Sequence, residues 1–396
     1  MDDRKERILK RIEEMRGEAI ELLAELVKAP SVNPPGDTRE VAEAILRKAR
    51  TFTDHCERVA VEEPAPNVFV TLNPGGRPQL LYNGHMDTVP VGEASQWQFD
   101  PFGAVIRQNV MYGRGVADMK GGCAAMLMAA KVLAVEQVPM MGSLVVNLVS
   151  DEETGGGRGA AYLMANGFYS PDMVVVGEIT NRNGIAIAEK GVVVYSLTTK
   201  GRAAHASTPW VGINAIDKMV KILHRMQGRL AEDLKTRPSG MLPPATINTG
   251  TIQGGVSFNV VADSCHALID RRILPSETVE SATREIQSIL DELEVDDPEI
   301  KADLQILGSG KPFETSPDAS ICKLAKQTLE ELGLPGEFVG YEQVSDGRFF
   351  AEKGIPTIII GPGTAKVAHT PDENLELDQF LDSIRVYSLL AARALA

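Results

Sequence analysis

The sequence predicts an α/β protein with a smaller α+β domain inserted into it. Short apolar runs, each ending in polar or glycine-rich sequence, alternate with helical stretches toward both ends of the chain. The middle of the chain instead reads strand, helix, strand, strand, helix, strand. The 396 residues suffice for two or three domains of about 150 residues each.

Residues 5–28 place Ile8, Ile12, Leu22, Leu23 and Leu26 near helical spacing, predicting an amphipathic opening helix and then a proline-marked loop over 30–35. A second helix is predicted over 38–52. Buried strands follow at 67–72, 79–83, 143–149, 173–176 and 355–360, with helices at 121–133 and 159–166. In the middle, 192–199 reads as a strand, 214–234 as a helix, and 245–253 and 260–273 as strands. A helix over 276–293, with Ser276 and Glu277 suited to its start, precedes a last strand over 299–307. The order β-α-β-β-α-β is the split βαβ pattern of a ferredoxin-like domain. It places a small domain at 191–308, inserted into a larger one made of 1–190 and 309–396.

Hydrophobic residues make up 43% and charged residues 24%, ordinary values for a globular protein. Forty basic against fifty-four acidic residues leave a net charge of −14, which argues against nucleic-acid or anionic-membrane partners. No apolar run approaches the ~18–20 residues of a membrane span, and the start, MDDRKERILKRIEEM, lacks the apolar stretch of a signal peptide. Cys56, Cys123, Cys265 and Cys322 form no CxxC pair, so neither a disulfide framework nor a thiolate metal site is predicted. A cytoplasmic enzyme is the expectation.

Of six histidines, two stand in chemically suggestive surroundings past apolar strands. His85 ends LLYNGHMD, and Asp87, two residues on in extended chain, points the same way and can take the imidazole N–H turned away from a metal. The spacing alone serves equally a surface histidine beside a capping aspartate. Asp118, in YGRGVADMKGG, opens an apolar helix, where a carboxylate is often only a cap. Its glycines match neither GxxxxGK[ST] nor GxGxxG, so no phosphate loop is read there. Asp151, Glu152 and Glu153 directly follow a buried strand, where crowded carboxylates call for a cation. Glu178 ends another strand, and His369 follows a further one. The carboxyl ends of strands in an open α/β sheet share one crevice. Mixed imidazole and carboxylate donors suit zinc, cobalt or manganese. Two histidines and three carboxylates exceed one tetrahedral ion but fit two ions sharing a carboxylate, leaving one carboxylate as general base. His55, His224 and His266 read as packing or surface residues, and Cys123 as a small buried hydrophobe.

The segments HMDTVP (85–90), GRGVADMKGG (113–122), DEETGG (151–156), VGE (176–178), GRAAHASTP (201–209) and AHTPDE (368–373) together resemble the M20 family of metallo-aminoacylases and exopeptidases. The resemblance runs in order over nearly the whole chain and implies a metallopeptidase-type α/β catalytic domain with the insert as a lid and dimerisation domain. It implies Asp118 bridging two metals, most naturally zinc, with His85 and Glu178 completing one site and Glu153 and His369 the other. Glu152 is then the general base, Asp87 the partner that orients His85, and His205 a stabiliser of the oxyanion. Asn259 and Arg272 correspond to contacts with the oxyanion and with the substrate carboxylate, the latter suited to an arginine fork, although Arg271 stands beside Arg272. The peptide after Asp118 is expected to be cis. Ile179–Thr180 and Trp210 depart from the family pattern and bear on the acyl pocket rather than on the ligands.

The implied activity is hydrolysis of an amide in an N-acyl amino acid or small peptide by a homodimer. An exopeptidase of the same family is the nearest alternative. A non-catalytic metal- or ligand-binding relative is the alternative from another class, and it would have no need of Glu152.

Overall fold

The computed structural model describes residues 2–181 and 184–396. They form two units with separate hydrophobic cores. The larger runs to Ile187 and resumes over Thr315–Val339 and Ser345–Ala396; the smaller is Ala188–Glu314 with Gly340–Val344. Among the described residues no helix is long and apolar enough to cross a membrane.

In the larger unit a mixed sheet begins with Cys56–Ala60 and Pro66–Leu72, followed in order by Ser143–Val149, Gln79–His85, Met173–Val176 and Thr357–Ile359. The last four run parallel. Layers of helix cover such strands on both faces, which is why 143–149 and 173–176 are buried at every residue and read as unbroken apolar runs. Register then aligns their carboxyl ends: His85 pairs with Val149, and Val176 with both Asn83 and Ile359. The helix Gly121–Val135 is buried without a break from Gly121 to Ala130. At Gly122 a Cβ would strike the carbonyl oxygen of Gly177, so glycine lets the start of this helix abut the strand end that leads to Glu178.

The smaller unit orders its strands Thr246–Gly254, Ser264–Ile273, Gly191–Lys200 and Lys301–Gly310, all antiparallel. Helices Ala215–Arg225 and Val279–Asp296 pack their apolar sides on one face of it. This is the strand order of a split βαβ fold.

Several elements differ from the sequence expectation. Residues 5–28 form two helices, Asp2–Glu14 and Arg16–Lys28, parted where Met15 leaves helical geometry at φ −95°, ψ 6°. The predicted helix at 276 begins instead at Val279, because Thr278 and Ser281 make a reciprocal capping box. Glu277 is drawn away to Arg271, Arg237 and the N–H of Leu274. The helix read over 214–234 is interrupted by a wider turn at Met226–Leu230.

Candidate metal centre

The parallel strands deliver the candidate ligands to one edge of the sheet in the larger unit. His85 is the last residue of its strand, Glu153 lies in the turn after Ser143–Val149, and Glu178 follows Met173–Val176. Asp118 sits just before the Gly121–Val135 helix, with a cis peptide to Met119, and His369 adopts a left-handed φ of 60° in the loop after Thr357–Ile359.

These side chains gather into two groups: His85, Asp118 and Glu178, and Asp118, Glu153 and His369. Within each, one ligand atom from every residue lies within 4.8 Å of the others. Asp118 belongs to both and divides its oxygens between them. Its Oδ1 is 3.2 Å from His85 Nε2 and its Oδ2 is 3.2 Å from His369 Nε2. Glu178 Oε1 stands 3.2 Å from His85 Nε2, and Glu153 Oε2 stands 3.4 Å from His369 Nε2.

The electrostatics match a cation-binding pocket. Burial opposes the charge on Asp118, yet hydrogen bonds with His369 and His85 hold it below the usual carboxylate range. Burial works against charge on His85, but Asp118 and Glu178 outweigh it and keep the imidazole well above its ordinary value. His369 is pushed up to about 10 by its contacts with Asp118 and Glu153. Burial raises Glu178, with Asp118 adding to it. Burial also lifts Glu152 well above the usual range; His85 pulls it down, while Asp346, Glu178 and Glu153 push it further up. Among the described residues Glu153 Oε1 is buried with no hydrogen-bond partner. An orphaned buried oxygen, carboxylates in excess and two imidazole nitrogens turned toward one shared aspartate fit divalent cations of the nitrogen- and oxygen-loving kind. Cys123 adds no thiolate, since burial pushes its thiol up to about 12 and Sγ donates to His85 O at 3.0 Å.

Residues 81–393 of the chain that builds this pocket match the pattern of "Peptidase family M20/M25/M40". The chain belongs to this peptidase family. Two relatives illustrate the M20 likeness. N-formyl-4-amino-5-aminomethyl-2-methylpyrimidine deformylase of Halalkalibacterium halodurans is 29% identical over 95% of this chain and 94% of that protein. Acetylornithine deacetylase of Vibrio parahaemolyticus is 32% identical over 86% of this chain and 88% of that protein. The M20 family metallo-carboxypeptidase Sso-CP2 of Sulfolobus solfataricus shares the fold, with a TM-score of 0.81 at 19% identity over 95% of this chain and 98% of its own.

For an M20 protein the neighbours of these five residues matter as much as the five. The sequence spacing assigns the Asp87 carboxylate to His85, but His85 Nδ1 lies 3.0 Å from the main-chain carbonyl of Asp87 and 3.6 Å from its carboxylate. That carboxylate is taken up elsewhere: it accepts the N–H groups of Glu152 and Glu153, each at 3.2 Å, and Asn33 Nδ2 at 2.8 Å. It thus holds the turn that carries both glutamates.

Two buried acidic residues escape the motif reading. Glu373, buried completely, accepts from Arg114 Nη1 at 2.7 Å and Gly115 N–H at 3.0 Å on one oxygen. Its other oxygen accepts the N–H groups of Ala117 at 2.9 Å and Asp118 at 3.0 Å. AHTPDE contains Glu373, but only burial reveals that it cradles the Asp118 loop. Asp346 is also buried, and among the described residues neither of its carboxyl oxygens has a hydrogen-bond partner. Burial raises it to about 7. Nothing in its local sequence, SDGRFF, signals this.

The remaining candidates lie in the smaller unit. His205 is exposed, and its Nδ1 accepts the N–H of Ser207 at 3.1 Å, so the neutral ring carries its proton on Nε2. Asn259 is its neighbour through the bond from Ala206 N–H to Asn259 O at 3.1 Å. Alternation along Ser264–Ile273 separates the two adjacent arginines. Arg271 points into the core and pairs with Glu277 and Glu285, whereas Arg272 lies partly exposed on the other face and pairs with Asp270 through two bonds of 2.9 and 3.2 Å.

Proposed function

We propose that the chain is a two-metal amidohydrolase that removes a small acyl group from the nitrogen of an amino acid or related amine. The observation that carries this reading is the division of Asp118, whose two oxygens each face a different histidine at 3.2 Å. A shared carboxylate between two nitrogen- and oxygen-donor groups is the arrangement a pair of divalent ions requires. His85, Glu178 and Asp118 would hold one ion, and Asp118, Glu153 and His369 the other. Zinc is the first choice, with cobalt and manganese as substitutes. Bound there, the ions would polarise the amide carbonyl and lower the pKa of water.

Glu152 belongs to neither group and is kept above the usual carboxyl range by its burial. A carboxylate beside both groups and held by neither suits a general base that takes a proton from water and returns it to the leaving amine. Asp87 contributes by holding the Glu152 and Glu153 main chain rather than by touching the reacting atoms. His205, with Nε2–H as donor, is assigned to the oxyanion of the tetrahedral intermediate. Asn259 supports it, and the Arg272 guanidinium is assigned to the substrate carboxylate. We assign the smaller unit, 191–308 in the sequence reading, to a lid that also pairs two subunits. The relatives named above act on a formylated and an acetylated amine, which favours deacylation over peptide cleavage.

The test is a panel of formyl, acetyl and succinyl amino acids and dipeptides, offered to protein loaded with zinc, cobalt or manganese, with release of free amine followed. Turnover of an acyl amino acid that stops on chelation and returns with metal is expected. Turnover untouched by chelation, or none across the panel, contradicts the reading. Faster cleavage of dipeptides than of acyl amino acids would assign the chain to exopeptidase work instead.

A further inference from the structure

The segment 31–33 lies alongside 86–88: Asn33 N–H donates to Thr88 O at 2.8 Å, and Thr88 N–H donates to Ser31 O at 3.0 Å. Those main-chain bonds would tolerate many side chains at position 33. The side chain present there is nonetheless 3% exposed and makes a specific set of contacts. Asn33 Nδ2 lies 2.8 Å from Asp87 Oδ2, 3.2 Å from Asp151 Oδ1 and 3.0 Å from Thr154 Oγ1. One neutral amide therefore stands between two carboxylates that would otherwise repel. Asp151 has further help, since it accepts from Arg158 Nη2 at 2.7 Å and from Arg158 N–H at 2.9 Å. Among the described residues Asp87 has Asn33 as its only side-chain donor, and Asp87 in turn accepts the N–H groups of Glu152 and Glu153.

We propose that Asn33 is a positioning residue: through Asp87 and Asp151 it fixes the Glu152–Glu153 turn, and so sets the place of the Glu153 carboxylate beside Asp118 and His369. The proposal rests on the two-metal reading and adds a residue outside every motif that supports that reading. Its physical basis is the poor local anchoring of Glu153. That side chain touches His369 at 3.4 Å and leaves Oε1 unpartnered, so the turn beneath it decides where it lies. Groups behind the ligands typically alter metal affinity by about 10–100-fold when removed.

The experiment titrates the chelator-stripped full chain with Co²⁺ and follows the visible absorption of the bound ion. Wild-type protein should show two binding events. In Asn33→Ala one event should weaken by about 10–100-fold while the other stays within about threefold. After reconstitution with zinc, kcat should fall about tenfold or more with KM little changed, the pattern of a displaced base rather than a lost substrate contact. Asn33→Asp, which sets a third carboxylate against the other two, should show a larger loss at the same event. Asn33→Ser retains a shorter donor and should show the same selective weakening to a smaller degree, which keeps the test available should Asn33→Ala not fold. Two unchanged events in any folded Asn33 variant overturn the proposal, even where the variant melts earlier. Fewer than two events in wild-type protein overturn the two-metal reading and this proposal with it, so the two failures are distinguishable.

Discussion

Glu373→Gln tests how the Asp118 loop is held, because it alters one atom type at an unchanged shape. The native carboxylate accepts four hydrogen bonds, two on each oxygen, from Arg114, Gly115, Ala117 and Asp118. An amide keeps one accepting oxygen and turns an NH₂ group toward donors, so two bonds are lost and their donors stay buried. Hydrogen bonds to a charged group contribute about 1.5–3 kcal/mol each, so losing two costs roughly 3–6 kcal/mol. Arg114, 2% exposed, is left a buried cation beside a neutral side chain, a change worth a similar roughly 3–5 kcal/mol that overlaps the first figure rather than adding to it. Domains are stable by only about 5–15 kcal/mol, so the loss is a large share of the total. Denaturant unfolding of metal-free wild-type and variant protein measures it directly. A difference below about 1 kcal/mol would refute the idea that this carboxylate anchors the loop.

Three further outcomes follow. Glu152→Gln should retain both metals and lose on the order of 10²-fold or more in kcat, as removal of a general base demands; metal analysis and rate measurements check both halves. His205→Ala should lower kcat with metal content unchanged, and an unaltered rate would remove His205 from the reaction. Asp346→Asn should gain stability relative to wild type as pH rises. Burial raises the native Asp346 carboxyl to about 7, with Arg348 and His85 pulling down and Asp87 and Glu178 pushing up. A raised folded value means the native protein holds that proton more tightly than the unfolded chain does. The wild-type advantage is therefore full below about pH 4 and is lost as pH climbs from there to about 7, a total of up to about 4 kcal/mol, of which roughly half to two thirds remains to be lost at pH 5, and the asparagine variant escapes it. Unfolding of the metal-free proteins at pH 5 and pH 8.5 should show this, and parallel pH profiles for the two would refute it.

What the sequence disclosed followed the strength of local pattern. The strands Ser143–Val149 and Met173–Val176 are legible to the residue because burial on both faces demands unbroken apolar character. His85 and Glu178 are legible because the first ends its strand and the second stands two residues past one, where a charged group breaks the apolar run; Asp118, Glu153 and His369 lie farther from any such end and are legible through the segments that surround them. The small sheet of Val105–Arg107, Val110–Tyr112 and Asn374–Glu376 is not legible, since strands this short carry no period and the last pairs with residues far away in the chain. Asp87 shows the limit of spacing rules. Two residues after a histidine it points the right way, but three other donors occupy its carboxylate, and the main-chain carbonyl lies nearer to His85 Nδ1. Arg271 and Arg272 are indistinguishable by type, and only the phase of the strand tells which one enters the core. Asn33 and Glu373 are distinguished by distant partners and Asp346 by burial alone, which no local pattern encodes.

The most direct test is anomalous X-ray diffraction from crystals of the full chain grown with zinc. Two ions about 3.5–4 Å apart are expected, with Asp118 bridging them, His85 and Glu178 on one and Glu153 and His369 on the other. A single ion, or ions bound away from Asp118, would contradict the account.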